Sequence, residues 1–460
     1  HTYTGPVGQL FIATLYVRNG PDEDQDEYPV RIRESTDLRN PGHLDVRINM
    51  AIDEGLWYLH THMVRATYGG GSPGYGQPYG YWAESYYQAA TGTAVDAFQL
   101  HGSKCNGDYD GDPYVETVER ALNYLLVHTY SYNISVQPAG DPDTNGNGIG
   151  LVTNYSSSLY NTRQTYIGGI CMVALASSGA PSRVASVGRT NVYGRTYADI
   201  VQDMVDFFAF GQVDANRGVY RGGWRYYANY SSSDMSTTQW PPLGMIAAEQ
   251  NMGSIVPQFV RDELIYFLNQ AQNIAISNDN GGFGYTGSGY PYTTWFNITK
   301  TAAGIICHEF LGTPLTDPKV ESAIGFIYRH WYDTGGSWDH TKLHGNSYGM
   351  YGVMKAFRIP EPDILDVTEY AYWDAPPHQT SNSFDWYYYP STQTKEGLAH
   401  YCVITQQANG SWDDTVGSNR VYDEFCTGWR VLVLLKGVTI IPPVAVICDC
   451  GDQEYDLNQD

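Results

Sequence analysis

One unit of turn and helix recurs along this chain, and it limits the fold more than any other feature. The stretch Arg221–Gly253 shows it in full: Gly222-Gly223-Trp224, a short polar loop, then an amphipathic run with Trp240, Leu243 and Ala247 on one helical face. Ser236 and Gln239 stand three apart and predict a capping box at the start of that helix. The unit returns at Gln272–Tyr285, at Gly335–Trp338 and at Gln406–Trp412, with a weaker copy at Gly80-Tyr81-Trp82. The wide gap between Trp82 and Trp224 predicts one degenerate copy between them. A near-constant period of this size means a repeated supersecondary unit, here with room for two helices.

A helix ending in Gln, a few residues, then Gly-(Gly/Ser)-(Trp/Phe) resembles the repeat of squalene cyclases and protein prenyltransferases, and the phrase SDMSTTQW resembles segments of that superfamily. The resemblance runs over roughly residues 45–437. It implies a mainly α fold, an α/α toroid of about six helical hairpins, with short β segments at the N- and C-terminal arms. It implies no single activity, since one fold hosts many functions.

The order of elements predicts three parts. Residues 1–44 form a β-like arm, with strands at Phe11–Arg18 and Tyr28–Arg33 around an acidic tip. Residues 45–437 form the toroid, with apolar 3.6-residue periodicity at 46–63, 94–100, 115–127, 165–177, 197–210, 257–271, 300–311, 320–331, 348–357 and 427–435. Residues 438–460 form a strand-like tail whose PPVAV and later Asp-Gln resemble the start of a PKD-type immunoglobulin-like domain. Two strand-like arms predict self-association by strand pairing, as in a filament.

The net charge of −23, with only 26 basic residues, argues against a nucleic-acid partner, which needs clustered Lys and Arg. Forty tyrosines, apolar in body and polar at the tip, suit wet surfaces and carbohydrate contacts. No apolar run is long enough for a transmembrane span. A chain beginning at His1 reads as one whose signal peptide has been removed, which places it outside the cell or on its surface. Sequons at Asn133, Asn154, Asn229, Asn297 and Asn409 would then permit glycosylation. Seven cysteines are too few and too irregularly spaced for a disulfide scaffold or a zinc knuckle.

Two acidic loops are candidate calcium sites. Asp141, Asp143, Asn145 and Asn147 offer oxygens at alternate positions around Gly146, although Val152 stands where an EF-hand places its bidentate Glu. Asp108, Asp110 and Asp112 alternate around Gly111 in the same way. Acidic Asp/Gly turns are also common without any ion.

The catalytic motifs implied by the resemblance are missing. There is no D-x-D-D acid motif; Asp413-Asp414 lies in a repeat turn and lacks the first Asp. Asp423 and Cys426 do not match the prenyltransferase zinc pattern, and Asp423 reads as a helix cap. His340 and His344 with Asp339 read as loop, His308-Glu309 as core, and His1 lacks the β-sandwich that a copper brace needs. No catalytic or cofactor residue is therefore assigned. The expected function is a secreted, non-catalytic, calcium-stabilised module of an extracellular assembly. The alternative is a toroid enzyme, terpene-cyclase-like or polysaccharide-active, working in the ring. An unbroken hydrophobic cavity with a lone buried Asp would favour a cyclase, and a Tyr/Trp-lined groove with paired carboxylates sugar chemistry.

Overall fold

The computed structural model describes residues 4–5, 10–20, 22–31, 41–69, 73–82, 86–109, 111–154, 157, 163–286, 295–333, 342–371, 378–389, 395–414 and 423–437. The tail 438–460, the repeat copy at 335–338, His340 and Asp110 lie outside them. Two compact units, His1–Arg47 and Ile48–Asp460, make up the chain.

In the first unit, β1 (Leu10–Asn19) pairs antiparallel with β2 (Asp22–Arg31). The acidic residues expected at the tip are in β2 itself, because the chain turns earlier, at Gly20 with φ 65°. A positive φ costs glycine little and other residues much, so the turn forms there. Leu15, Tyr16 and Val17 of β1 are exposed.

The second unit is an α/α toroid. Its inner helices are α2 (Tyr87–His101), α4 (Gln164–Ser177), α7 (Trp240–Met252), α9 (Ile298–Phe310), α11 (Ser347–Arg358) and α13 (Asp423–Leu435). They touch in cyclic order, α13 returning to α2. Helices α2, α4 and α7 are buried on nearly every face, as helices walled in on both sides must be. Around them lie α1 (Pro41–His62), which belongs to this unit from Ile48 on, α3 (Val115–Val127), α5 (Tyr197–Phe210), α8 (Gln258–Ala271), α10 (Pro318–His330) and α12 (Leu398–Thr405). Of these, α8 buries only one stripe, Val260, Glu263, Leu264, Phe267, Leu268 and Ala271.

The repeat turns join outer to inner helices by one recurring set of bonds. The N–H of the turn aromatic donates to a threonine on the following segment: Trp224 to Thr238 at 3.0 Å, Phe283 to Thr301 at 3.1 Å, Trp412 to Thr427 at 3.1 Å and Trp82 to Thr91 at 3.3 Å. The glutamine before each turn reaches the next outer helix: Gln212 to the Val260 carbonyl, Gln272 to Lys319 and Gln406 to Ala51. Gly222, with φ 85°, presses on the Glu263 carbonyl so closely that any side chain would collide with it, and Gly281 and Gly410 repeat the contact on Ser322 and Glu54. A loop buried against a helix must satisfy its own backbone groups, and these bonds do so.

Two expectations need correcting. The cap of the segment before α7 is Asp234, not Ser236: Asp234 Oδ1 accepts from the Thr237 N–H at 2.9 Å, and Ser236 Oγ donates to that same oxygen at 2.6 Å. Asp234 precedes α6 (Met235–Thr238), a single turn that the sequence periodicity merged with α7. Second, β structure is not confined to the arms. Hairpins β3 (Val64–Thr67) with β4 (Pro78–Tyr81), β5 (Thr129–Asn133) with β6 (Ile149–Thr153), and β7 (Asp366–Ala371) with β8 (His378–Asp385) belong to the ring unit. The β5–β6 pair stands between α3 and α4, where the degenerate repeat copy was expected. TYSYN and IGLVT are short and rich in residues that favour strands, so two pairing strands replace the glycine turn.

Candidate functional site

Inner helices α7, α11 and α13 send aromatics into the interior of the ring. Trp240 stacks on Tyr348 and Tyr351 with ring centroids 6.0 and 6.3 Å apart. Trp429 meets the same two tyrosines at 5.8 and 6.0 Å and Phe425 at 4.0 Å. Helices α7 and α11 are not neighbours in the cyclic order, so these rings meet across the lumen. Nearer the far ends of the inner helices, Lys355 on α11 is fully buried, 5.2 Å over the Tyr351 ring. Burial holds its amine below the usual lysine range, and Asp96 opposes that shift. Among the described residues its Nζ has no hydrogen-bond partner.

The polar chemistry gathers at the mouth, where the inner helices begin. Asp234 has no exposed side-chain surface, and Arg225 Nε lies 3.4 Å from its Oδ2. Burial raises the Asp234 carboxyl, while Ser236, Thr237 and Arg225 hold it back. The Arg225 guanidinium lies among the rings of Tyr226, Tyr230 and Tyr285, at 5.0, 5.5 and 5.8 Å. Tyr226 and Tyr285 join hydroxyls at 2.9 Å. Lys300, 5.8 Å from the Tyr285 ring, donates to the Trp295 carbonyl at 2.8 Å, and burial lowers its amine to about 8 against the pull of Asp234.

Tyr348 connects this cluster to a second one. Its hydroxyl meets Gln239 and the Ser236 carbonyl on the Asp234 side. Its neighbour Ser347 gives both its N–H and its hydroxyl to Asp414 Oδ1, at 2.9 and 2.6 Å. Arg430, fully buried, donates from Nε to Ser347 Oγ at 2.8 Å and lies 3.9 Å from Asp414. Two carboxylates, each with an arginine, thus flank Tyr348. Burial shifts Asp234 and Lys300 within this cluster, as happens at functional sites and in structural ion-pair networks alike.

The sequence singled out Asp414 but dismissed it for want of a motif, and it did not see Arg225, Asp234, Lys300 or Arg430 as a group. A register comparison could have found Asp234. Four residues before the conserved-in-register threonines stand Asp234, Asn297 and Asp423, and only Asp234 has an arginine on it.

The predicted metal residues lie elsewhere. Asp141 Oδ1 accepts from the Asp143 N–H at 3.1 Å, and Asp143 accepts from the amides of Gly146, Asn147 and Gly148. Asn145 and Asn147 turn their amides to Asp203 on α5, at 2.8 and 3.0 Å, and Thr144 is held by Asp206. Asp112 Oδ1 accepts from Tyr114 N–H, and Asp108 takes the Asp112 N–H on its carbonyl. Among the described residues, no group of three or more His, Cys, Asp or Glu side chains could hold a metal ion.

Of the sequons, Asn133, Asn229 and Asn409 are exposed. Asn154 and Asn297 are buried, and Asn297 caps α9 through the Lys300 N–H, so the folded chain leaves no room for a glycan at either. His308 is a core residue as expected, with burial lowering it to about 4. His344 is buried on the Glu396 carbonyl. Asp423 opens α13, and Cys426 is buried beside it. No helix among the described residues is long and apolar enough to cross a membrane.

A scan against protein-family models finds no match, and a search of curated proteins finds none. Two solved structures are similar in fold. One is a type II terpene cyclase from Scytonema, 11% identical, covering 85% of this chain and 98% of its own, with a TM-score of 0.44. The other is a family 76 glycoside hydrolase from a bovine Bacteroides thetaiotaomicron strain, 9% identical, covering 94% and 84%, with a TM-score of 0.49.

Proposed function

We propose that the chain is a carbohydrate-directed toroid enzyme whose working surface is the mouth around Asp234, Tyr348 and Asp414. The observation that carries this is the placing of two carboxylates, each beside an arginine, on either side of Tyr348, with the Arg225 of the first lying among the rings of Tyr226, Tyr230 and Tyr285. Sugar rings lay their C–H faces on aromatics, and tyrosine adds a polar tip for their hydroxyls. Hydrolysis of a glycosidic bond uses one carboxyl that keeps its proton and one that does not. Asp234, raised by burial, suits the first role, and Asp414, which accepts from Ser347 beside Arg430, is the second carboxyl of the mouth. Rings that meet across the lumen speak against a long apolar substrate threaded through the ring and favour a polymer received at the mouth.

A second reading is a non-catalytic binding module. It is favoured by the complete burial of Asp234, since a proton donor must reach its substrate and this carboxyl would first have to be uncovered. The test is release of reducing ends from a panel of polysaccharides by the protein and by Asp234→Asn. Release that the substitution abolishes supports the enzyme. Binding without release supports the module, and neither binding nor release ends the carbohydrate reading. Calcium at 141–147, secretion, and strand-mediated assembly through the tail belong to the same proposal. The first is tested by whether EGTA lowers the melting temperature, the last by deleting residues 438–460.

A further inference from the structure

The protein is strongly acidic, with a net charge of −23, yet three partly exposed cations, Arg163, Arg225 and Lys300, lie among tyrosine rings along one part of its mouth. Arg163, just before α4, lies 4.0 Å over the ring of Tyr86, just before α2. Beside it, the Thr165 N–H donates to the Tyr226 carbonyl at 3.2 Å, and the Ala228 N–H donates to Gln164 Oε1 at 3.1 Å. These bonds fasten the start of α4 to the segment that carries Arg225. From Arg225 the line continues through Tyr285, bonded to Tyr226, to Lys300 and the exposed ring of Trp295. Rings and cations thus alternate along the rim: Tyr86, Arg163, Tyr226, Arg225, Tyr285, Lys300. Asp234, the carboxylate paired within this strip, has no exposed side-chain surface, whereas Arg163, Arg225 and Lys300 are all partly exposed.

We infer that the polymer the mouth receives is an acidic polysaccharide, one whose sugar rings carry carboxylates. This rests on the carbohydrate reading above and names its substrate class. A neutral sugar would use the tyrosine faces and hydroxyls but not the charge that these cations expose. Repeating carboxylates would meet Arg163, Arg225 and Lys300 in turn while their rings lie on the intervening tyrosines. The arginines can bind carboxylate through two parallel N–H groups. Helix N-termini, which carry partial positive charge, face the same end. Long-range repulsion from the acidic body is screened over about 10 Å at 0.1 M salt, so short-range pairing at the rim prevails over it.

The experiment is calorimetric titration of the whole chain with polygalacturonate, with a neutral glucan of equal length and with single-stranded DNA, at low and high salt. Expected is binding of polygalacturonate at least about tenfold tighter than of the glucan, a difference of about 1.4 kcal/mol, weakening as salt rises. Lys300→Gln and Arg163→Gln, which leave the Arg225–Asp234 pair in place, should each reduce that preference with unchanged far-ultraviolet dichroism. Loss of the Lys300 charge should weaken uronate binding between pH 7 and 9 in the parent and not in Lys300→Gln. Equal binding of both polysaccharides overturns this inference and leaves the carbohydrate reading standing. Tighter binding of the DNA overturns the inference in favour of a nucleic acid. Binding of no polymer removes both the inference and the reading beneath it.

Discussion

Gln406 Nε2 donates to the carbonyl of Ala51 at 2.9 Å, joining residues 355 apart in sequence. The same nitrogen also donates to the Gly410 carbonyl at 3.0 Å, so it fastens its own turn and the first helix of the ring together. Gln212 and Gln272 do the same within the chain, each to its own turn and to the next outer helix. Ring closure therefore uses the ordinary repeat contact, with no special joint.

Gln406→Ala should lower stability by about 1–3 kcal/mol, the cost of leaving buried acceptors without a donor. Gln212→Ala and Gln272→Ala should cost a similar amount. Urea unfolding of the three variants checks it; a silent Gln406→Ala beside two destabilised partners would mean that closure does not depend on the clasp.

Gly222→Ala should be harsher than any of these. It forces a side chain to φ 85° and against the Glu263 carbonyl. Strain of that backbone kind alone costs about 1–3 kcal/mol. A melting temperature within experimental error of the parent would contradict the contact.

Asp206 should make the protein more stable as pH falls from 8 toward 5. Burial raises its carboxyl to about 7 in the folded state, against an ordinary value of 3.8. Above about 7 it is ionised in both states, and its burial weighs against folding. Below that, the folded state takes up the proton first, so stability grows until the unfolded chain is protonated too. Asp203 beside it raises it further. Of the neighbouring elements, β6 carries no titratable side chain, α4's Cys171 donates to Gln88, and α7's Glu249 is paired with Arg261. Thermal melts across this range should rise less steeply for Asp206→Asn than for the parent; parallel curves would count against the assignment.

Lys355→Met should lower stability by about 3–5 kcal/mol, since the buried amine is drawn to the buried Asp96 and removing one partner leaves the other charge uncompensated. Urea unfolding checks it; a neutral or stabilised variant would mean that the two groups do not support one another.

Expression through a secretory pathway that glycosylates should modify some of Asn133, Asn229 and Asn409 and leave Asn154 and Asn297 bare. Glycopeptide mass spectrometry reads this directly, and a glycan on Asn297 in folded protein would contradict its place as the α9 cap.

The ring was legible in the sequence because its signals are local. The Gln, the Gly pair and the aromatic sit within a dozen residues of one another, and helix periodicity needs only a few turns to show, as at Val115–Val127 and Tyr197–Phe210, where the predicted and observed bounds agree. The hairpins β3–β4, β5–β6 and β7–β8 were not legible, because short strands gain their stability from partners across the turn rather than from their own residues. The site was not legible for a stronger form of that reason. Asp234 reads as a helix cap, and so it is; what distinguishes it from Asn297 at the same place in the next repeat is the Arg225 guanidinium and the tyrosine rings around it. Trp240, Tyr348 and Trp429 each read as the apolar face of a separate helix. That they meet depends on ring curvature, which brings together side chains nearly two hundred residues apart.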